Sequence, residues 1–271
     1  MYERTPNNIN DVHNILSDSK IAQLKCNKTD LTDTTFLVPI RIDSPERKEN
    51  IESLIKFTFL HFITNFIVLE ADSAQRFSFR YKQDRLLNIF IEDKDKVFHR
   101  TKWINQLITL TETPYAAVWD ADAIAHPEQI VKSVNKLRSK EAVLSFPYDG
   151  KFYSCDKVSC YLFRKLLNIE ILIKRVPVMK LMHGYHSVGG AFIVNKDKYI
   201  EAGRENENIY GWGPEDAERV KRLEKLGLSV QNNIGPLFHL EHFRGQNSWF
   251  ANEEIRKKNM KELLNTCATN Y

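Results

Sequence analysis

The chain of 271 residues has little cysteine: Cys26, Cys155, Cys160 and Cys267, with no CxxC pair. That spacing excludes a thiolate zinc finger and a CxxC redox site. A chain of this length needs no disulfide staples, so the four are read as reduced thiols of a cytosolic protein. Long apolar runs are also missing. The longest, around Ile63 to Leu69, falls far short of the roughly 20 residues that cross a bilayer. The opening MYERTPNNIND has no basic-then-apolar leader pattern. Nor does one sign of charge dominate, since 39 basic and 35 acidic residues leave a net +4. That is too mild for a dedicated nucleic-acid surface, yet it does not repel a small anionic substrate. Only Lys151–Arg175 mixes basic and apolar residues in a way that suits peripheral contact with a membrane. There is no internal repeat and no low-complexity tract.

What is present is a hydrophobic content of 42%, enough for one large α/β domain or two small ones. Apolar strands alternate with helical segments. Thr35–Ile42 reads as a buried first strand, with Pro39 marking its end. Ser44 to about Thr64 reads as a helix, capped by Ser44 with Pro45 at its first position. Asn65–Leu69, Leu86–Ile91, Tyr115–Trp119 and Ala142–Phe146 read as further strands, and Arg100–Leu110 and Pro127–Ser139 as helices. Ser187–Val194 resumes as strand and Asp197–Ala202 as a short helix, with a strand near Ser229–Asn232. This rhythm predicts a Rossmann-like, mostly parallel twisted sheet flanked by helices, with ligands at the strand ends. Lys151–His186 breaks the rhythm and reads as an insertion or lid. The organisation expected is a polar extension over 1–33, one domain over 34–250 and a C-terminal helix over 251–271. Within the domain, a nucleotide-binding half covers about 34–147, the insertion about 148–186 and an acceptor half about 187–250.

Three stretches carry chemistry. In VWDADAIAHP, Asp120 and Asp122 end a buried strand. On extended backbone, positions i and i+2 point the same way, so the pair could converge on one divalent cation. Hard oxygen ligands suit Mn²⁺ or Mg²⁺. In HLEHFRG, His239 and His242 stand three apart beside Arg244, an arginine able to grip phosphate. Imidazole joining carboxylate favours Mn²⁺ over Mg²⁺, and HxxH is not the zinc-protease HExxH. In NIYGWGPEDAERVKRLEKLG, Gly211 and Gly213 flank Trp212 on a turn that leads into a helix. Pro214 fits the first helical position, and Glu215, Asp216 and Glu218 fit the positive end of its dipole. Ala217, Val220 and Leu223 recur at the spacing of a core-facing stripe, and Gly227 stops the helix. A flat ring beside two carboxylates suits a sugar, with the ring taking the C–H face and the acids the hydroxyls. Arg41 after the first strand, and Phe98, Arg100 and Lys102 at a helix start, could hold a base and a diphosphate.

These blocks, in this order, resemble the animal β-1,4-galactosyltransferases and related UDP-sugar enzymes of the GT-A fold. They are Val38-Pro-Ile-Arg41, Phe98-His-Arg-Thr-Lys-Trp-Ile-Asn105, Asp120-Ala-Asp122, and Gly189-Gly190 through Gly211-Trp-Gly-Pro-Glu-Asp216 to His242-Phe-Arg244. Polypeptide GalNAc-transferases share a looser version of the later blocks. The resemblance covers about Thr35 to Arg244 and implies a GT-A domain. It implies transfer of a hexose or N-acetylhexosamine, with galactose or GalNAc favoured, from a UDP-sugar to a glycan hydroxyl; the acceptor expected from context is a surface glycan or lipid-linked oligosaccharide. It further implies contacts to the UDP-sugar from Arg41, Phe98, Arg100, Asp120, Gly189, Gly190 and Trp212, to which the residue reading adds Lys102 and Arg244. Mn²⁺, with Mg²⁺ as the alternative, falls to Asp122, His242 and His239. Asp216 matches the catalytic base of an inverting reaction and Glu215 the acid that holds the acceptor. Two rivals share these blocks: a retaining GalNAc-transferase-like enzyme, and a carbohydrate- or nucleotide-binding protein without catalysis. Pro214 replaces a family glycine, Ala217 replaces a third acid, and Lys151–His186 has no counterpart. The absence of a stem and membrane anchor points to a cytoplasmic enzyme of bacterial style, soluble or peripheral to the inner face of the membrane.

Overall fold

The computed structural model describes residues 28–79 and 84–269. Most of the expected polar extension lies outside the described residues. The strand that follows it, β1, spans Thr29–Ile40 and so begins six residues before the expected Thr35. Helix α1 (Pro45–His61) ends earlier than expected, and β2 (Phe62–Asp72) follows without a loop. The two shifts have one cause. Thr29 pairs with Phe62 and Leu31 with Thr64, so each strand extends backwards along its partner. Pro39 sits inside β1, but past Leu37, the last residue paired with β4, so its missing N–H breaks no bond on that side.

The large sheet adds β3 (Leu86–Glu92), β4 (Tyr115–Trp119), β6 (Leu144–Phe146), β9 (Ala191–Asn195) and β10 (Val230–Asn232), in the order β10-β6-β9-β4-β1-β2-β3. Every pairing in it is parallel except those of β9 with β4 and β6. The architecture is therefore mixed α/β, with a mostly parallel sheet flanked by helices. The central strands are buried along nearly their whole length because helices cover both faces. Helices α2 (Arg100–Leu110), α3 (Pro127–Arg138) and α6 (Lys196–Glu201) complete this layer.

A second sheet, which the sequence reading does not anticipate, runs β5-β11-β7-β8: Ala123–Ala125, Leu237–His239, Phe152–Ser154 and Lys180–Leu181. Half of it comes from the segment expected to be an irregular insertion. That segment also forms α4 (Lys157–Leu166) and α5 (Ile169–Arg175). Its strands are too short, at two and three residues, to show a period.

Helix α7 (Glu215–Lys225) follows the tryptophan turn, with Pro214 at its cap rather than its first position. The expected apolar stripe is only partly realised. Leu223 is buried, Val220 is half-buried and Ala217 is exposed, while Glu215, Glu218, Arg219 and Arg222 are buried. The helix can bury this face because Arg219 pairs with Glu205 and Asp216, and Arg222 with Glu218. Helix α8 (Glu253–Ala268) packs against it, close to the expected C-terminal helix.

Candidate active site

Parallel β1 and β4 are neighbours, so their carboxyl ends open on the same edge, as the switch-point rule requires. A cleft of about 410 Å³ lies there. Its lining includes every sequence-predicted site residue except Lys102, whose ammonium instead lies 4.3 Å from the centre of the Trp103 ring.

Beyond β4 the chain turns sharply. Ala123 N–H donates to the Asp120 carbonyl at 3.1 Å, and the buried Trp119 indole donates to the Ala123 carbonyl at 2.7 Å. The backbone of the aspartate pair is thus a turn rather than an extension of the strand, and the two carboxylates take separate partners. Asp120 accepts from Arg100 Nη2 at 2.8 Å. Asp122, 4% exposed, faces His242 Nε2 at 3.1 Å, Arg47 Nη1 at 3.5 Å and His239 Nε2 at 3.7 Å.

The second sheet makes that meeting possible. His239 ends β11 opposite Ala123 of β5, and Leu240 N–H donates to the Asp122 carbonyl at 2.8 Å. The ligand atoms of Asp122, His239 and His242 all lie within 4.8 Å of one another. This set fits a divalent metal. Nδ1 of His242 lies 2.6 Å from the Phe243 carbonyl, a contact that fixes the ring with Nε2 toward Asp122. His239 Nδ1 is buried with no hydrogen-bond partner. Burial drives the His239 pKa down to about 4, so its imidazole is neutral and able to ligate at neutral pH. Burial would raise the Asp122 carboxyl, but His239, His242 and Arg47 pull it below the ordinary carboxylate range.

The opposite wall is carboxylate on guanidinium. Arg100 Nη1 stands 3.6 Å from Glu215 and 3.7 Å from Asp216, while its Nη2 holds Asp120. Burial alone would lower the Arg100 pKa; these three acids raise it instead, so it stays charged. Glu215 has the opposite fate. Burial, then repulsion from Asp216, push its carboxyl up to about 8 against the pull of Arg100, and its Oε2 has no partner. At neutral pH it is a buried acid able to donate a hydrogen bond. Asp216 Oδ1 accepts from Arg219 Nη2 at 2.7 Å.

Gly189 and Gly190 close the cleft. The Gly190 carbonyl accepts from Asp120 N–H at 2.8 Å, and Tyr148 donates to the Gly189 carbonyl at 2.6 Å. A Cβ on Gly189 would stand 2.5 Å from Asp216 Oδ2. Trp212, 37% exposed, lines the cleft beside Trp249, with ring centroids 5.9 Å apart. Arg244 is exposed along the rim. Arg41 is differently placed from a free phosphate ligand. Its donors reach the Ala71 and Asp95 carbonyls at 2.9 and 2.8 Å and Asp93 at 2.9 Å, and its guanidinium lies 5.4 Å from the Phe98 ring centre. It supports Phe98 from behind.

The sequence reading missed Arg47, Arg219, Tyr148, Asn247 and Trp249. Asn247 accepts the Phe98 N–H at 2.9 Å. Arg47 had a signal, since it stands one turn into a helix that starts at a strand end. Arg219 had none, because a charge in a charge-rich helix ordinarily reads as solvated.

No protein-family model matches the chain, and no curated protein matches it. Among solved structures, a mutant Drosophila β-1,4-galactosyltransferase 7 in complex with manganese, UDP-Gal and xylobiose is similar at 16% identity with a TM-score of 0.46. The catalytic domain of Drosophila β-1,4-galactosyltransferase 7 in complex with xylobiose is similar at 18% identity with a TM-score of 0.42. Each match covers 73% of this chain, which spans 63% of the length of each of those chains.

Proposed function

We propose that the cleft is the active site of a metal-dependent glycosyltransferase of GT-A type. It moves a hexose or N-acetylhexosamine, with galactose or GalNAc favoured, from a UDP-sugar to a hydroxyl of a glycan or lipid-linked oligosaccharide. One observation carries the reading. Asp120 and Asp122, Trp212 to Asp216, and His239, His242 and Arg244, widely spaced in the chain, line one cleft with Arg100.

Phe98, backed by Arg41, supplies a flat face for the base, and Arg47, Arg100 and Arg244 supply cationic surface for the diphosphate. Asp122, His239 and His242 would hold Mn²⁺, with Mg²⁺ as the alternative, and the ion would supply Lewis-acid stabilisation of the departing diphosphate, worth several kcal/mol in such sites. Trp212 orients the sugar by its ring face. Asp216 is the base. Arg219 fixes Oδ1, and Oδ2 stands against the bare backbone of Gly189. Asp216 takes the proton from the acceptor hydroxyl as that oxygen forms its bond to the anomeric carbon. The bond from that carbon to the diphosphate oxygen breaks, UDP leaves with the electron pair, and the anomeric centre inverts. Glu215, protonated at neutral pH, donates to an acceptor hydroxyl.

Calorimetry of UDP with and without Mn²⁺ tests the reading, alongside Asp122→Ala and His242→Ala. Metal-dependent binding in the parent, lost in both variants, is the expected result. UDP that fails to bind even with Mn²⁺ overturns it. Asp216→Asn should keep UDP binding while turnover falls by orders of magnitude.

A further inference from the structure

The segment that forms the outer half of the second sheet carries a surface the cleft does not use. Helix α4 buries Cys160, Leu162, Phe163 and Leu166 and leaves Val158 and Tyr161 52% and 60% exposed. Exposed Lys157 and Lys165 flank them on the same side of the helix. The neighbouring elements add to this face. Arg175, at the end of α5, reaches back to Ser159 Oγ at 2.6 Å and Asp156 at 3.1 Å. Exposed Lys174 and Val178 stand on either side of that arginine in the chain. Ser154 pairs with Lys180, which brings a fourth exposed lysine alongside. Lys157, Lys165, Lys174 and Lys180 have no carboxylate partner among the described residues, and the nearby acids are already occupied. Asp156 is held by Arg175 and Asp149 by Lys151. Among the described residues, exposed negative charge beside this face comes from Glu170, 3.9 Å from His126, and from Glu49, held at 3.0 Å by Arg164 of α4.

We propose that this face docks on an anionic lipid bilayer. Four lysines without a carboxylate partner among the described residues, one of them 5.8 Å from the centre of the Tyr161 ring, combine with that exposed tyrosine and two valines the attractions that hold a peripheral protein to such a surface. Cations meet anionic headgroups, each worth on the order of a fivefold gain in affinity, and small apolar groups sink to the headgroup boundary. No helix among the described residues is long and apolar enough to cross a membrane. Two residues past Lys180 the chain reaches Met182 and His183, which line the cleft. The docked face thus adjoins the cleft mouth, where a lipid-borne acceptor is presented. The docking itself does not rest on the transferase reading.

Vesicle co-sedimentation of the full chain tests it, with phosphatidylcholine alone against phosphatidylcholine containing a third of phosphatidylglycerol. The expected result is sedimentation with the anionic vesicles only, weakened by salt. Lys157→Gln with Lys165→Gln should weaken it on the order of tenfold or more while UDP binding is kept. A Tyr161→Trp variant should show a blue shift of its added emission on anionic vesicles. Equal binding by the lysine variant overturns the proposal, as does no sedimentation of the parent chain. Binding to a soluble polyanion with no emission shift assigns the lysines to an acidic macromolecule instead, and also overturns it.

Discussion

Arg219 holds Asp216 Oδ1 at 2.7 Å with one nitrogen and Glu205 Oε1 at 2.7 Å with another, while its guanidinium carbon lies 3.9 Å from the centre of the Phe192 ring. The residue is fully buried, and Tyr199 also donates to Glu205. One planar fork therefore ties the cleft carboxylate to an acid in the core. Arg219→Leu strands Glu205 without its partner and should cost about 3–5 kcal/mol in a urea melt, the range for a broken buried pair. Arg219→Lys keeps the charge but not the fork. It should melt closer to the parent and still turn over poorly, because Asp216 is no longer aimed.

Two adjacent glycines should fail in different ways. Gly190 has φ +83°, and a Cβ there would stand 2.8 Å from Phe152 and 2.9 Å from Leu237. Gly190→Ala should destabilise the fold by roughly 1–3 kcal/mol through strain and overpacking. At Gly189 the Cβ meets only the Asp216 carboxylate. Gly189→Ala should leave the melting temperature near that of the parent and displace Oδ2, at a cost on the order of 100-fold in turnover. UDP binding should survive. A Gly189→Ala enzyme with full activity would remove the grounds for Asp216 as base.

Glu215 makes stability depend on pH. Burial first, then Asp216, lift its carboxyl from the ordinary 4.5 to about 8 in the folded chain. Between those values the folded state holds a proton that the unfolded state has released. The contribution is therefore complete below the unfolded value and is lost as pH rises toward the folded one, by at most about 1.4 kcal/mol per pH unit for one proton. Glu215→Gln removes this dependence. Its melting temperature relative to the parent should climb from pH 5 to pH 8 and level off above. A difference that stays flat with pH would mean Glu215 is ionised in the fold.

The alternation of strand and helix was legible because a parallel sheet buried on both faces leaves continuous apolar runs, as Tyr115–Trp119 shows. The candidate site was legible where its residues stand in tight blocks, as in Asp120-Ala-Asp122 and Trp212 to Asp216. What escaped depends on pairings the sequence does not display. The second sheet is made of strands of two or three residues brought together from distant positions, and it is what carries His239 to Asp122. The buried charged face of α7 reads as solvent-facing until Glu205, from another segment, is placed against Arg219. Asp120 and Asp122 point to different partners because the chain turns after Trp119, a detail of three residues that alternation in a strand does not foretell.

His239 separates a metal ligand from an ordinary core histidine. Its Nδ1 is buried and unpartnered, and its Nε2 is 3.7 Å from Asp122, too far for a hydrogen bond. A group in that position contributes little to the metal-free fold and carries the cost of an unsatisfied nitrogen. His239→Leu should therefore melt at or above the temperature of the metal-free parent. Mn²⁺ at 100 times its dissociation constant should stabilise the parent by about 2.7 kcal/mol. In His239→Leu that gain should shrink or vanish, because one of three donors is gone. A histidine kept for packing would give the reverse pattern, with a destabilised metal-free variant and an unchanged response to Mn²⁺. The two melts, with and without the ion, decide between these roles before any sugar donor is known.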